Sequence, residues 1–204
     1  MKNHEEEIIL IYGRIQELLK RAELSAEKKK EKETLAGRLL LIEGIRMLQG
    51  PELPFSREGI RELETMLERT PEGKPYFPGY EGLHFNISHS GEYAACALGR
   101  IPVGMDLQKI QPLRHHRLIQ KVMKEEEINR ILLAKDPRRV FAVIWTEKES
   151  FLKLKGSGIR GDIRHLPLET VVMDGFTLEE KYICRVCTNE KFRLKIFEES
   201  KRNP

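Results

Sequence analysis

Apolar positions along this chain keep two different rhythms. Between Ser25 and about Leu48, the residues Leu35, Leu39, Ile42, Ile45 and Leu48 recur every three or four positions, and Leu40 and Leu41 widen the stripe. That spacing predicts a helix with one buried side, ended by Gly50-Pro51. Beyond Pro112 the helical period returns in Leu118, Ile119, Val122 and Met123, then in Ile128, Ile131 and Leu132, then in Phe141, Ile144, Trp145 and Leu152. The last set predicts a helix that starts at Asp136-Pro137, where proline suits the first turn, and ends at Gly156-Ser157-Gly158. Residues 57–68 read as a further helix or a mixed segment.

The second rhythm is that of strands. Residues 8–12 form a short apolar run, read as a strand rather than a helix start. Two apolar runs, 93–98 and 101–107, are separated by Gly99-Arg100, which predicts a hairpin. Within the second run Val103, Met105 and Leu107 alternate with Gly104, Asp106 and Gln108. The pleat therefore puts Asp106 and Gln108 together on the face opposite the apolar set. Runs at 168–173, 182–186 and 192–197 predict three more strands, and the proline- and glycine-rich stretches at 70–75 and 78–79 predict a turn-rich connection. Helix followed by strands occurs twice, which points to an α/β (α+β) chain of two similar halves meeting near residue 103.

Composition narrows the class. The chain has 204 residues, 40% hydrophobic and 33% charged, the balance of an ordinary globular protein. A net charge of +4 suits an anionic small ligand, an acidic protein or nucleic acid, and chooses none of them. No apolar run approaches the roughly 20 residues that span a bilayer. Glu5-Glu6-Glu7 ahead of the first apolar run is unlike a secretory signal, so a cytoplasmic location is expected. For the same reason the Asn86-Ile87-Ser88 glycosylation pattern is set aside. Three cysteines, Cys96, Cys184 and Cys187, argue against a disulfide framework. Cys184 and Cys187 have metal-like spacing, but on a strand they face opposite ways. His115-His116 is expected to be solvated. The charged run 28–32 lacks interleaved aromatics, so no nucleic-acid role is expected.

Three stretches carry candidate chemistry. Phe85-Asn86-Ile87-Ser88-His89-Ser90 offers polar groups for a phosphate, Gly104-Met105-Asp106-Leu107-Gln108 offers a carboxylate and an amide, and Trp145 through Lys153 sets Glu149 and Lys153 one helical turn apart. Singly, each has a plain reading: exposed polar residues on a half-buried strand, or a Glu–Lys pair on a helix surface. Jointly they suit a magnesium–diphosphate complex. Magnesium takes oxygen ligands and keeps waters and substrate phosphates in its shell, so two or three protein oxygens suffice. Lys153 supplies the cation for the far side of the diphosphate.

With Gly73-Lys74-Pro75, Phe85-Asn86-Ile87-Ser88-His89-Ser90-Gly91, Val103-Gly104-Met105-Asp106 and Trp145–Lys153 in this order, the chain resembles 4′-phosphopantetheinyl transferases of the surfactin-synthetase (Sfp) type. The resemblance implies two pseudo-symmetric halves, residues 1–103 and 104–204, each a small antiparallel sheet packed with a long helix, with coenzyme A between them. It implies transfer of phosphopantetheine from coenzyme A to a serine of an apo acyl or peptidyl carrier protein. Asp106, Gln108 and Glu149 would then hold Mg²⁺, or Mn²⁺, and Lys153 the diphosphate. Ser88 and His89 would face the adenosine phosphate region, Lys74 the adenine, and Thr34 with Lys28 the 3′-phosphate, Lys20 and Arg21 being alternatives to Lys28. Glu149, with Glu127 through a water, is the candidate base. The family usually has a carboxylate where Gln108 stands, which implies weaker metal binding or a shell completed by water. A monomer is expected, with no nucleic-acid or membrane partner.

Overall fold

A computed structural model describes residues 5–113, 116–158 and 161–199. Strand β1 (Glu6–Arg14) opens the chain, followed by helices α1 (Ile15–Arg21), α2 (Lys29–Met47) and α3 (Arg57–Thr65). A short strand pair, β2 (Glu68–Arg69) and β3 (Pro75–Tyr76), leads to β4 (His84–Ser90), β5 (Tyr93–Gly99) and β6 (Val103–Lys109). Then come α4 (His116–Val122), α5 (Glu125–Leu132) and α6 (Pro137–Lys155), and finally β7 (Val172–Leu178), β8 (Tyr182–Thr188) and β9 (Phe192–Glu198).

These elements stack as helix, sheet, sheet, helix. The first sheet has the order β4-β5-β1-β9 and the second β6-β8-β7. On one face of the first sheet, Ile9, Ile11, Cys96 and Leu98 pack with Leu35, Leu39 and Ile42 of α2. Its other face sends Ile8, Leu10, Ala95 and Ala97 against Val103, Met105 and Leu107 of β6. The alternation read from the sequence therefore holds, and the polar face of β6 is left to α6. The α/β class and the pairing of each sheet with a long helix are as expected.

The predicted hairpin between residues 93–98 and 101–107 does not form. Strand β5 is an interior strand of its sheet, with both edges taken by β4 and β1, so no edge is left for β6, which pairs with β8 instead. The reversal occurs one strand earlier, where Ser90 pairs with Tyr93 across Gly91-Glu92. Gly91 has φ +59°, the positive value that the first position of such a two-residue turn demands. The run 168–173 is also corrected. Residues Leu168–Thr170 form a 3-10 turn, held by Thr170 donating from Oγ1 to the Pro167 carbonyl at 2.7 Å, and the strand starts at Val172. The first sheet is not wholly antiparallel, because β9 runs parallel to β1 and ties the end of the chain to its start.

Helix α6 begins and ends as predicted. Asp136 accepts from the amides of Arg138 and Arg139, Pro137 occupies the first turn, and Gly156 closes the helix at φ +70°. Among the described residues no helix is long and apolar enough to cross a membrane. The expectation for His115-His116 lies outside the described side chains.

All three cysteines are free and buried, and burial pushes every thiol up, that of Cys187 to about 11. Thiolate is the reactive form. Ellman's reagent at pH 8 is therefore expected to titrate none of them in the folded protein and all of them in denaturant. Fast reaction of one thiol without denaturant would contradict this burial.

Candidate active site

Strand β6 and helix α6 lie in contact along their length, and each delivers one charge to the seam. Asp106, 6% exposed, points from the polar face of β6. Lys153 reaches it from α6, with Nζ 2.7 Å from Asp106 Oδ1. Ser88 on β4 completes a three-way contact: its hydroxyl donates to Asp106 Oδ1 at 2.8 Å and accepts from Lys153 Nζ at 3.0 Å and from the Leu107 amide at 3.2 Å. Ser90 accepts in the same way from the Lys109 amide at 2.9 Å. Strands β4 and β6 belong to different sheets, and these two hydroxyls join them where no backbone ladder does.

One turn before Lys153 on α6, Glu149 sits half-buried with Oε1 enclosed and without a hydrogen-bond partner among the described residues. Burial pushes its carboxyl up, the charge of Asp106 adds to this, and Lys153 offsets part of it. The two acids, distant in sequence, thus sense each other electrostatically. A carboxyl whose folded pKa is raised stabilises the fold below its unfolded value, about 4 for glutamate, and loses that contribution as pH rises through the folded value. Glu149→Gln is expected to raise the thermal midpoint of the metal-free protein at pH 7, with the gain vanishing toward about pH 4. Equal midpoints at pH 7 would contradict it.

An enclosed carboxylate oxygen lacking a donor, beside a second carboxylate, is the donor set a hard divalent cation takes. Among the described residues no group of three or more His, Cys, Asp or Glu is clustered for a metal. Two carboxylates with further oxygens from water and phosphate fit magnesium's ordinary manner of binding.

The seam opens into a cleft of about 390 Å³ between α2 and β4 on one side and α6 on the other. Among the predicted residues Thr34, Lys74, His89, Glu149 and Lys153 line it. Lys74 donates from Nζ to the Leu154 carbonyl at 3.1 Å, and burial holds its ammonium below the usual lysine range. His89 Nδ1 lies 3.5 Å from Glu33 Oε1, and Thr34 donates to the Lys30 carbonyl at 2.9 Å. Lys28, exposed at the start of α2, does not line the cleft, and neither does Gln108, whose amide donates to the Lys109 carbonyl at 3.0 Å.

Residues 102–200, which contain β6, α6 and their paired charges, match the model of the 4′-phosphopantetheinyl transferase superfamily. This part of the chain carries the superfamily's pattern. Over 101 residues it is 38% identical to 4′-phosphopantetheinyl transferase Sfp of Bacillus subtilis (strain 168), a stretch covering 48% of this chain and 42% of that protein. It is 30% identical over 186 residues to the L-aminoadipate-semialdehyde dehydrogenase-phosphopantetheinyl transferase of Mus musculus, covering 83% of this chain and 57% of that one. The chain spans about half the length of the curated relatives it matches.

Within the matched part, the Trp145–Lys153 stretch divides its work between the sides of α6. Lys148, 1% exposed, turns away from the cleft to Glu127 at 2.9 Å and to the carbonyls of Ile163 and Arg164. Glu127 also caps α5 by accepting from the Lys124 amide at 2.7 Å, so the structure places it in a buried ion pair rather than along the cleft. Thr146 and Ser150 bond back to α6 carbonyls. Glu149, Leu152 and Lys153 are the residues of this stretch that line the cleft, and the first and last carry its charges.

Sequence reasoning gave no role to several polar residues that line the cleft, Glu33, Arg69, Glu72, Arg38 and Asn86. Arg38, buried and paired through Nε with Glu64, lines the α2 side. A charged residue three positions after Leu35 inside an apolar stripe was the available signal. Asn86 is buried with Oδ1 unpartnered among the described residues, and also lines the cleft. It was quoted within its motif but given no role.

Proposed function

We propose that this chain transfers 4′-phosphopantetheine from coenzyme A to a serine hydroxyl of an apo acyl or peptidyl carrier protein, with Mg²⁺ or Mn²⁺, releasing adenosine 3′,5′-bisphosphate. The observation that carries this reading is the convergence of three charges beside one cleft: Glu149 and Lys153 line it, Lys153 pairs with Asp106 in the seam behind it, and Glu149 Oε1 lacks a partner among the described residues. The superfamily match over residues 102–200 and the names of the relatives support it.

The serine oxygen bonds to the β-phosphorus of coenzyme A, the bond to the bridging oxygen breaks, and the bisphosphate leaves. Such transfers need positioning and charge neutralisation more than covalent help. Asp106 and Glu149 would hold the magnesium, with Gln108 as a neutral oxygen donor beside them on the polar face of β6. When bound, the metal neutralises charge on the diphosphate. Lys153 leaves Asp106 to hold the diphosphate from the other side. Glu149, lining the cleft where the serine would enter, is our candidate to accept its proton by position, and a bound cation would lower its proton affinity from the raised value that burial gives it. Lys74, His89 and Thr34 line the part of the cleft that takes the adenosine and its phosphates. Glu127 is assigned the pairing with Lys148 rather than the proton. One chain supplies both sides of the cleft, so we take the working form to be a cytoplasmic monomer.

The test is incubation with coenzyme A, Mg²⁺ and apo carriers of fatty acid, polyketide and peptide pathways, read by mass spectrometry. The expected result is a gain of one phosphopantetheine on at least one carrier. Coenzyme A binding without mass gain on any carrier would overturn the reading. It would favour a coenzyme A- or nucleotide-binding regulator, to which the uncharged Gln108 lends some weight.

A further inference from the structure

Ser88 has no proton left to give a phosphate. A hydroxyl donates once and accepts twice. The single proton of Ser88 goes to Asp106 Oδ1, and its two acceptor positions take Lys153 Nζ and the Leu107 amide. All this occurs at a residue only 5% exposed, set with Asp106 in the seam behind the side chains that line the cleft. Both hydrogen bonds to Asp106 fall on Oδ1, so Oδ2 keeps its lone pairs among the described residues.

We propose that Ser88 is a positioning residue, not a phosphate ligand: its hydroxyl fixes Asp106 so that Oδ2 remains available to a divalent cation, and fixes where Lys153 waits before the diphosphate arrives. The proposal rests on the reading above for the identity of the reaction, but its geometry does not. Asp106 and Lys153 come from different elements, and Ser88, on a third, is hydrogen-bonded to both. Ligand orientation by such a partner is worth 10- to 100-fold in metal affinity or activity. Removing the hydroxyl also frees the Leu107 amide and loosens the link between the two sheets at the point where the cation binds. Ser90 makes the equivalent sheet-to-sheet bond to Lys109 without touching an acid. It therefore separates stitching from positioning.

The experiment compares wild type with Ser88→Ala, Ser88→Thr and Ser90→Ala. Mn²⁺ affinity is measured without coenzyme A by electron paramagnetic resonance, and kcat and KM for coenzyme A by carrier mass gain. Ser88→Ala is expected to weaken Mn²⁺ about 10-fold and lower kcat about 30-fold, leaving the KM for coenzyme A within about twofold. Ser88→Thr, which keeps the hydroxyl, restores both, and Ser90→Ala leaves Mn²⁺ affinity within about twofold of wild type. A raised KM for coenzyme A with unchanged Mn²⁺ affinity in Ser88→Ala would overturn the proposal and make the hydroxyl a phosphate contact. Equal loss of Mn²⁺ affinity in Ser90→Ala would overturn it in favour of general loosening. Should Ser88→Ala not fold, Ser88→Cys, a weaker donor of similar size, is expected to weaken Mn²⁺ to an intermediate degree, and wild-type affinity there overturns the proposal. Failure of the wild type to modify any carrier sinks the proposed reaction alone, since the Mn²⁺ measurements still decide the role of Ser88.

Discussion

Replacing Asp106 with asparagine is expected to lower phosphopantetheine transfer about 10³-fold, the scale of removing a group that organises charge in a reacting site. Asparagine keeps the shape of the side chain and the space around it. What it removes is the negative charge that pairs with Lys153 at 2.7 Å and that helps hold the Glu149 carboxyl up. Two consequences follow besides lost turnover. Divalent cation affinity without coenzyme A falls, because an amide oxygen is a neutral ligand. The Glu149 carboxyl comes down, because the like charge beside it has gone. Mass gain on the carrier, Mn²⁺ titration and a carbon-detected carboxyl titration check the three parts. Wild-type turnover and Mn²⁺ affinity in Asp106→Asn would remove the metal from the proposed mechanism.

The second large effect is structural and sits two residues earlier. A Cβ on Gly104 would stand 2.0 Å from the Ser150 carbonyl oxygen and 2.4 Å from the Leu154 amide nitrogen. Both are backbone atoms of α6, so no side-chain rotation relieves the clash. Overpacking of this kind costs about 3 kcal/mol. For a chain of this size Gly104→Ala is thus expected to lower the melting temperature by roughly 6–12 °C. It also pushes α6 off β6, separating Glu149 and Lys153 from Asp106, so turnover falls beyond the loss of folded protein. Gly79→Ala, with nothing within 4 Å of the added carbon, is the matched control and leaves both quantities unchanged. A melting temperature for Gly104→Ala within a degree of wild type would contradict this account of β6–α6 packing.

These two cases show which kinds of information lay in the sequence. The period of two in residues 103–108 was enough to place Asp106 opposite Val103, Met105 and Leu107, because the pleat alone decides the face. The period of three and four fixed α2 and α6. The proline and glycine at its ends marked where α6 starts and stops, since both act through the local backbone. The i,i+4 spacing of Glu149 and Lys153 likewise put them on one side of α6 without reference to anything else.

Partnership was a different matter. Adjacent apolar runs at 93–98 and 101–107 looked like a hairpin, yet competition for the two edges of β5 sent β6 to another sheet. On paper Ser88 faced a phosphate and Glu127 assisted the base through a water, and each is engaged by a group further along the chain, Asp106 with Lys153 in one case and Lys148 in the other. Arg38 was hidden in an apolar stripe. Local periodicity determined the elements, their faces and the residue types available for chemistry. Which strand pairs with which, and which acid meets which lysine, was settled only by packing, because hydrogen-bonding capacity and strand edges are finite and are shared out across the whole chain.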